Sequence, residues 1–130
     1  MSLYPEAVAP ELVGEYDASA KSGGGYFFDE VLEYRVWCHP ERGAPDEYDG
    51  NDYYYAFENY EEALEFSQGT EGAEPPLVLI RQHEWINEPE TGQFIHCQGE
   101  RIAEWRCEWL SRGARQPGQI EAFIAARSGA

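Results

Sequence analysis

The run Leu32-Glu-Tyr-Arg-Val-Trp-Cys-His39, closed by Pro40, constrains the fold more than any other stretch of this chain. Leu32, Tyr34, Val36 and Cys38 alternate with Glu33, Arg35, Trp37 and His39. A period of two sends the two sets to opposite faces of a β-strand, one toward a core and the other toward water. Residues 28–38 are therefore expected to form a half-buried strand, and Pro40, which lacks an amide hydrogen, ends it.

The punctuation that follows sets out the other elements. Residues 40–52 form a polar loop rich in turn formers. Tyr53-Tyr-Tyr-Ala-Phe57 is a short strand of high β propensity. Asn59 reads as a helix N-cap with Glu62 as its capping-box partner, and the helix runs to about Gln68 with Gly69 as C-cap. Leu77-Val-Leu-Ile80 is apolar at every position, so it opens a central strand covered on both faces. That strand continues to Trp85, residues 87–92 form a hairpin loop, and Gln93 to Cys97 return.

Residues 101–110 fit two patterns. Ile102, Trp105, Trp109 and Leu110 would make a helical stripe, whereas Ala103, Trp105, Cys107 and Trp109 would make a strand face with Glu104, Arg106 and Glu108 outside. The clean charge alternation, and the poor helix propensity of Trp and Cys, favour the strand. Pro117 opens a last short helix. The order implies an α+β fold: a small antiparallel or mixed sheet of four to five strands, with two helices packed mainly on one face.

Residues 1–25 read as a flexible N-terminal arm, interrupted by Pro5 and Pro10 and joined through Lys21-Ser-Gly-Gly-Gly25. Its apolar members, among them Tyr4, Val8 and Tyr16, suit docking on the domain or on a neighbour. Residues 26–130 are then a single domain, as the 130-residue length allows.

Charge narrows the function classes. The formal net charge is −16, and residues 26–75 carry fourteen acids against two arginines. Such a segment repels phosphate, so no direct nucleic-acid binding is expected. A basic protein partner, a cation or simple solubility remain. Three cysteines without a secretory leader point to reduced thiols and a cytoplasmic location. No stretch approaches the ~20 apolar residues of a membrane span, so no membrane is expected.

No metal and no cofactor are expected either. Cys38-His39 and His96-Cys97 are adjacent pairs, and neighbours on a strand face opposite ways, so each pair offers one ligand to a given site. The acid-rich run Asp46 to Asp52 fails as a calcium loop: set on Gly50, its first position is Pro45 and its twelfth Ala56. GxSxG is absent, and Gly23-Gly-Gly25 precedes a strand, not the helix N-terminus that phosphate cradles use.

The candidate ligand or partner surface comes from strand parity. In a symmetric hairpin Trp85 sits across from Phe94, and His83 across from His96. With Trp37 and His39 from the first strand, these six residues would line one aromatic and histidine-rich wall for a small molecule or a protein partner. The bland alternative is that a helix covers the wall and the rings are core.

At Tyr34-Arg-Val-Trp-Cys-His-Pro40, at Asp52 to Leu64 and at Glu104 to Leu110 the chain resembles a family of short bacterial proteins, some labelled GNAT-type N-acetyltransferases. The resemblance covers roughly residues 26–126 and implies an acyltransferase-like protein that binds coenzyme A. GNAT enzymes hold the pyrophosphate on an Arg/Gln-x-x-Gly-x-Gly/Ala turn. The nearest run here, Arg112-Gly-Ala-Arg-Gln-Pro-Gly118, spaces its glycines differently, and no catalytic residue is carried over. The leading expectation is thus a non-enzymatic binding or interaction protein, with homodimerisation through exposed aromatic strands open. The alternatives are the coenzyme A-binding acyltransferase and an acidic nucleic-acid mimic that occupies a basic protein.

Overall fold

The computed structural model describes residues 3–18 and 26–127, and of Arg112 only the backbone. The chain folds as an α+β domain. Its elements are β1 (Glu30–Cys38), β2 (Tyr53–Phe57), α1 (Tyr60–Gly69), β3 (Leu77–Asn87), β4 (Ile95–Arg106) and α2 (Gln119–Arg127), with 3-10 turns at Pro10–Leu12, Pro40–Arg42 and Cys107–Arg112. The strands form one antiparallel sheet in the order β2-β1-β3-β4. Among the described residues no helix is long and apolar enough to cross a membrane.

The helix-side core follows from alternation. Tyr34, Val36 and Cys38 pair with Phe57, Tyr55 and Tyr53, so these six share a face. On that face Val78, Ile80, Ala103 and Trp105 are buried with Ala63 of α1. The Asn59 side chain accepts from the Glu62 amide at 2.9 Å, which fixes where α1 begins. The helix runs one residue further than expected, through Gly69, and Thr70 is its C-cap.

The stretch expected as two strands, 93–97 and 101–110, is one long strand to Arg106 followed by the 3-10 turn. The pairs Gln82↔Arg101 and Glu84↔Gln98 leave an extra residue in β4 between them, a bulge that includes Gly99 at φ 118°. A residue with a Cβ is strained there, whereas glycine is not.

One expectation changes more deeply. β1 is not half-buried: Glu33 and Arg35, placed toward water by their polarity, are both 0% exposed. The cover is the N-terminal arm. Val8 N–H donates to Val31 O and Ala7 N–H to Glu58 O, each at 2.8 Å, where β2 has ended and β1 is left without that partner. The chain then crosses the sheet. Gly14 N–H donates to Glu33 Oε1 at 2.8 Å, Tyr54 hydroxyl to Tyr16 O at 3.2 Å, and the Arg35 guanidinium to the carbonyls of Asp17 and Ala18. Residues 3–18 are thus bonded to the body; the Lys21–Gly25 joint lies outside the described residues.

Candidate functional site

The six residues expected to form one wall occupy two ends of the sheet. Trp37 and His39 lie beyond Arg35, whose partner on β3 is Leu77. Trp85 is eight residues further along β3, so the two tryptophans stand about 30 Å apart at ~3.3 Å per residue. The hairpin register also differs. Trp85 pairs with Cys97 and His96 with Ile86, so Trp85 and His96 face opposite ways, and Phe94 precedes β4 altogether. The symmetric register fails because the connection runs from Asn87 to Ile95.

Each of the six has its own surroundings. Trp37 donates from Nε1 to Glu104 Oε2 at 3.1 Å and packs on Tyr54. Phe94 packs edge-on to Tyr26 and to Phe123 of α2. His83 is more than half exposed, 3.6 Å from Glu30. The Trp85 ring lies under the Arg101 guanidinium at 5.1 Å. His96 joins a charged cluster: its Nε2 is 2.6 Å from Glu84, its Nδ1 3.6 Å from Glu121, and Arg115 bridges Glu84 and Asp29.

His39 holds the end of β1. Its Nε2 is 2.6 Å from Glu74 Oε2, and its Nδ1 is 3.0 Å from Asp52 Oδ1 and 3.7 Å from Glu41 Oε1. The Glu74 carboxylate first, then Asp52, hold the imidazole pKa above its ordinary value, against the lowering effect of burial. Local chain geometry builds this arrangement. His39 O accepts from Arg42 and Ala44 amides, and His39 N–H donates to Gly72 O at 3.0 Å. Gly72, at φ 79°, lets the 72–74 segment come close: a Cβ there would collide with the Ala44 amide nitrogen and His39 O.

Beside this loop lies a groove of about 360 Å³ lined by Pro45, Glu47, Tyr53, Tyr55, Phe57 and Phe66. Alternation along β2 aims its three rings at the helix face, and Phe66 of α1 meets Tyr55 and Phe57 at centroid distances of 5.3 and 5.5 Å. Tyr55 is 36% exposed and its hydroxyl donates to Glu47 at 3.0 Å. Among the described residues β2 pairs only with β1, so its outer edge is open. Sequence reading passed over this groove, although Tyr53, Tyr55 and Phe57 alternate and Phe66 falls on the helix that follows.

The cysteines divide by burial. Cys38 and Cys107 are core residues, and burial pushes the Cys107 thiol up to about 12 and raises that of Cys38. Cys97 is partly exposed. Neither protein-family models nor curated proteins nor solved structures yield a match to this chain.

Proposed function

We propose that this chain is a non-enzymatic binding protein that takes an extended, cationic segment of another protein along the outer edge of β2. The observation that carries the reading is the coincidence of an open strand edge with an aromatic groove in the most acidic part of the chain. An unpaired edge offers backbone hydrogen bonds to an added strand, and pockets beside it select alternate side chains. Tyr55 and Phe66 supply faces on which a lysine or arginine stem can lie, and Glu47 supplies the counter-charge. The fourteen acids of residues 26–75 favour basic partners on approach.

The other readings find less support. Arg115, in the run nearest to a pyrophosphate turn, is engaged by Asp29 and Glu84. A nucleic-acid mimic needs a free stripe of carboxylates, yet Asp29, Glu30, Glu33 and Glu74 are spent in internal pairs.

Selection of short displayed peptides on the immobilised full chain tests the proposal. Enriched sequences should alternate apolar residues with Lys or Arg, and a synthetic winner should lose at least about tenfold affinity for Tyr55→Lys. Enrichment of acidic peptides, or affinity unchanged in Tyr55→Lys, would overturn it. Thermal shift with acetyl-CoA checks the acyltransferase alternative, which requires stabilisation.

A further inference from the structure

We propose that His39, Glu41 and Asp52 form a site for a divalent transition-metal ion, with Glu74 as the carboxylate that orients the imidazole. This inference is independent of the peptide-binding reading.

Three observations carry it. The first is donor placement. His39 Nδ1, a Glu41 oxygen and an Asp52 oxygen all lie within 4.8 Å of one another. Two ligand bonds of ~2.0 Å at a tetrahedral angle put donor atoms about 3.3 Å apart. The separations of 3.0 Å to Asp52 and 3.7 Å to Glu41 straddle that value.

The second is an orphaned nitrogen. His39 is 9% exposed, and its buried Nδ1 makes no aligned hydrogen bond, although Asp52 Oδ1 is only 3.0 Å away. Ligands of one ion sit side by side and do not point at each other, which is the relation these two atoms have. The other ring nitrogen is held by Glu74 at 2.6 Å, the carboxylate–histidine support that fixes a metal-binding imidazole.

The third is uncompensated charge. Three carboxylates surround one imidazole, and among the described residues no arginine or lysine pairs with any of them. The second histidine–carboxylate cluster, Glu84, His96 and Glu121, differs on this point, because Arg115 already neutralises Glu84 at 3.0 Å. A dication is favoured at the first cluster and opposed at the second. Glu41 and Asp52 are half-exposed, so the ligand side is open to solvent, and the mixed nitrogen and oxygen donors suit zinc-like ions over calcium or magnesium.

Calorimetric titration of Zn2+ into the untagged, chelator-treated full chain at pH 7, in two buffers of different ionisation enthalpy, is the test. One equivalent should bind, and the buffer dependence of the heat counts any proton that the metal displaces. The double variant Glu41→Gln, Asp52→Asn alters two half-exposed side chains; it should fold and weaken Zn2+ by at least about tenfold. Glu121→Gln should bind as the parent does. On saturation the His39 ring-nitrogen resonances should shift while those of His83 and His96 stay. Absence of binding at millimolar Zn2+, equal affinity in the double variant, loss in Glu121→Gln, or displacement by equimolar Ca2+ would each overturn the assignment.

Discussion

Arg35 Nε lies 2.7 Å from Glu33 Oε2, two residues away on β1, and neither side chain touches solvent. The same guanidinium reaches Glu104 Oε2 at 3.1 Å and lies 4.5 Å from the centre of the Tyr54 ring. A buried guanidinium is tolerable only when its donors are met, and the carbonyls of Asp17 and Ala18 take two that the two carboxylates leave. The arm is therefore bound to the sheet through a charge that the sheet cannot satisfy alone.

Removing that charge should open the molecule from this side. Arg35→Met strands Glu33 in a dry site, for which a loss of about 3 kcal/mol is expected. Urea unfolding measures it. Limited proteolysis should release the arm faster in the variant than in the parent. Unchanged stability and unchanged cleavage would mean that the arm is held by its backbone bonds alone.

Gly72→Ala carries two costs, a left-handed φ of 79° and a collision with the Ala44 amide. Strain of this kind costs about 1–3 kcal/mol. Thermal melting should show the loss, and substitution at Gly50, at φ 80° but with nothing near its Cβ, should cost less.

The histidine clamp gives stability a pH dependence of definite sign. The folded-state pKa of His39 is raised, by Glu74 first. Its contribution is full below the unfolded value of about 6.5 and is lost as pH rises through the folded value. With chelator present, the difference in Tm between the parent and Glu74→Gln should be largest below pH 6 and shrink toward pH 9. A difference that grows with pH would contradict the assignment.

The thiols provide an inexpensive check of the core. Burial places the Cys107 pKa at about 12 and raises that of Cys38, so neither offers thiolate to an exposed reagent at pH 8. Ellman's reagent should titrate Cys97 alone in the native protein and all three cysteines after denaturation.

Legibility from the sequence followed the range of the interactions. Asn59 was readable as a cap because its partner is three residues away, and β1 because alternation is local. The burial of Glu33 and Arg35 was not, because their cover comes from residues 3–18 and no pattern within β1 announces it. The hairpin register was lost to the length of the Asn87–Ile95 connection, and the Gly99 bulge shifts parity again only beyond Glu84. His39, Glu41, Asp52 and Glu74 follow no metal-binding spacing; three segments bring them together, and a sequence motif records only donors supplied by one.

Chemical-shift mapping with the selected cationic peptide tests the binding proposal most directly. Amide resonances of residues 53–57, with Glu47, Phe66 and Thr70, should move together and saturate at one equivalent. Shifts confined to the opposite end of the sheet, around Phe94, His96 and Phe123, would contradict it.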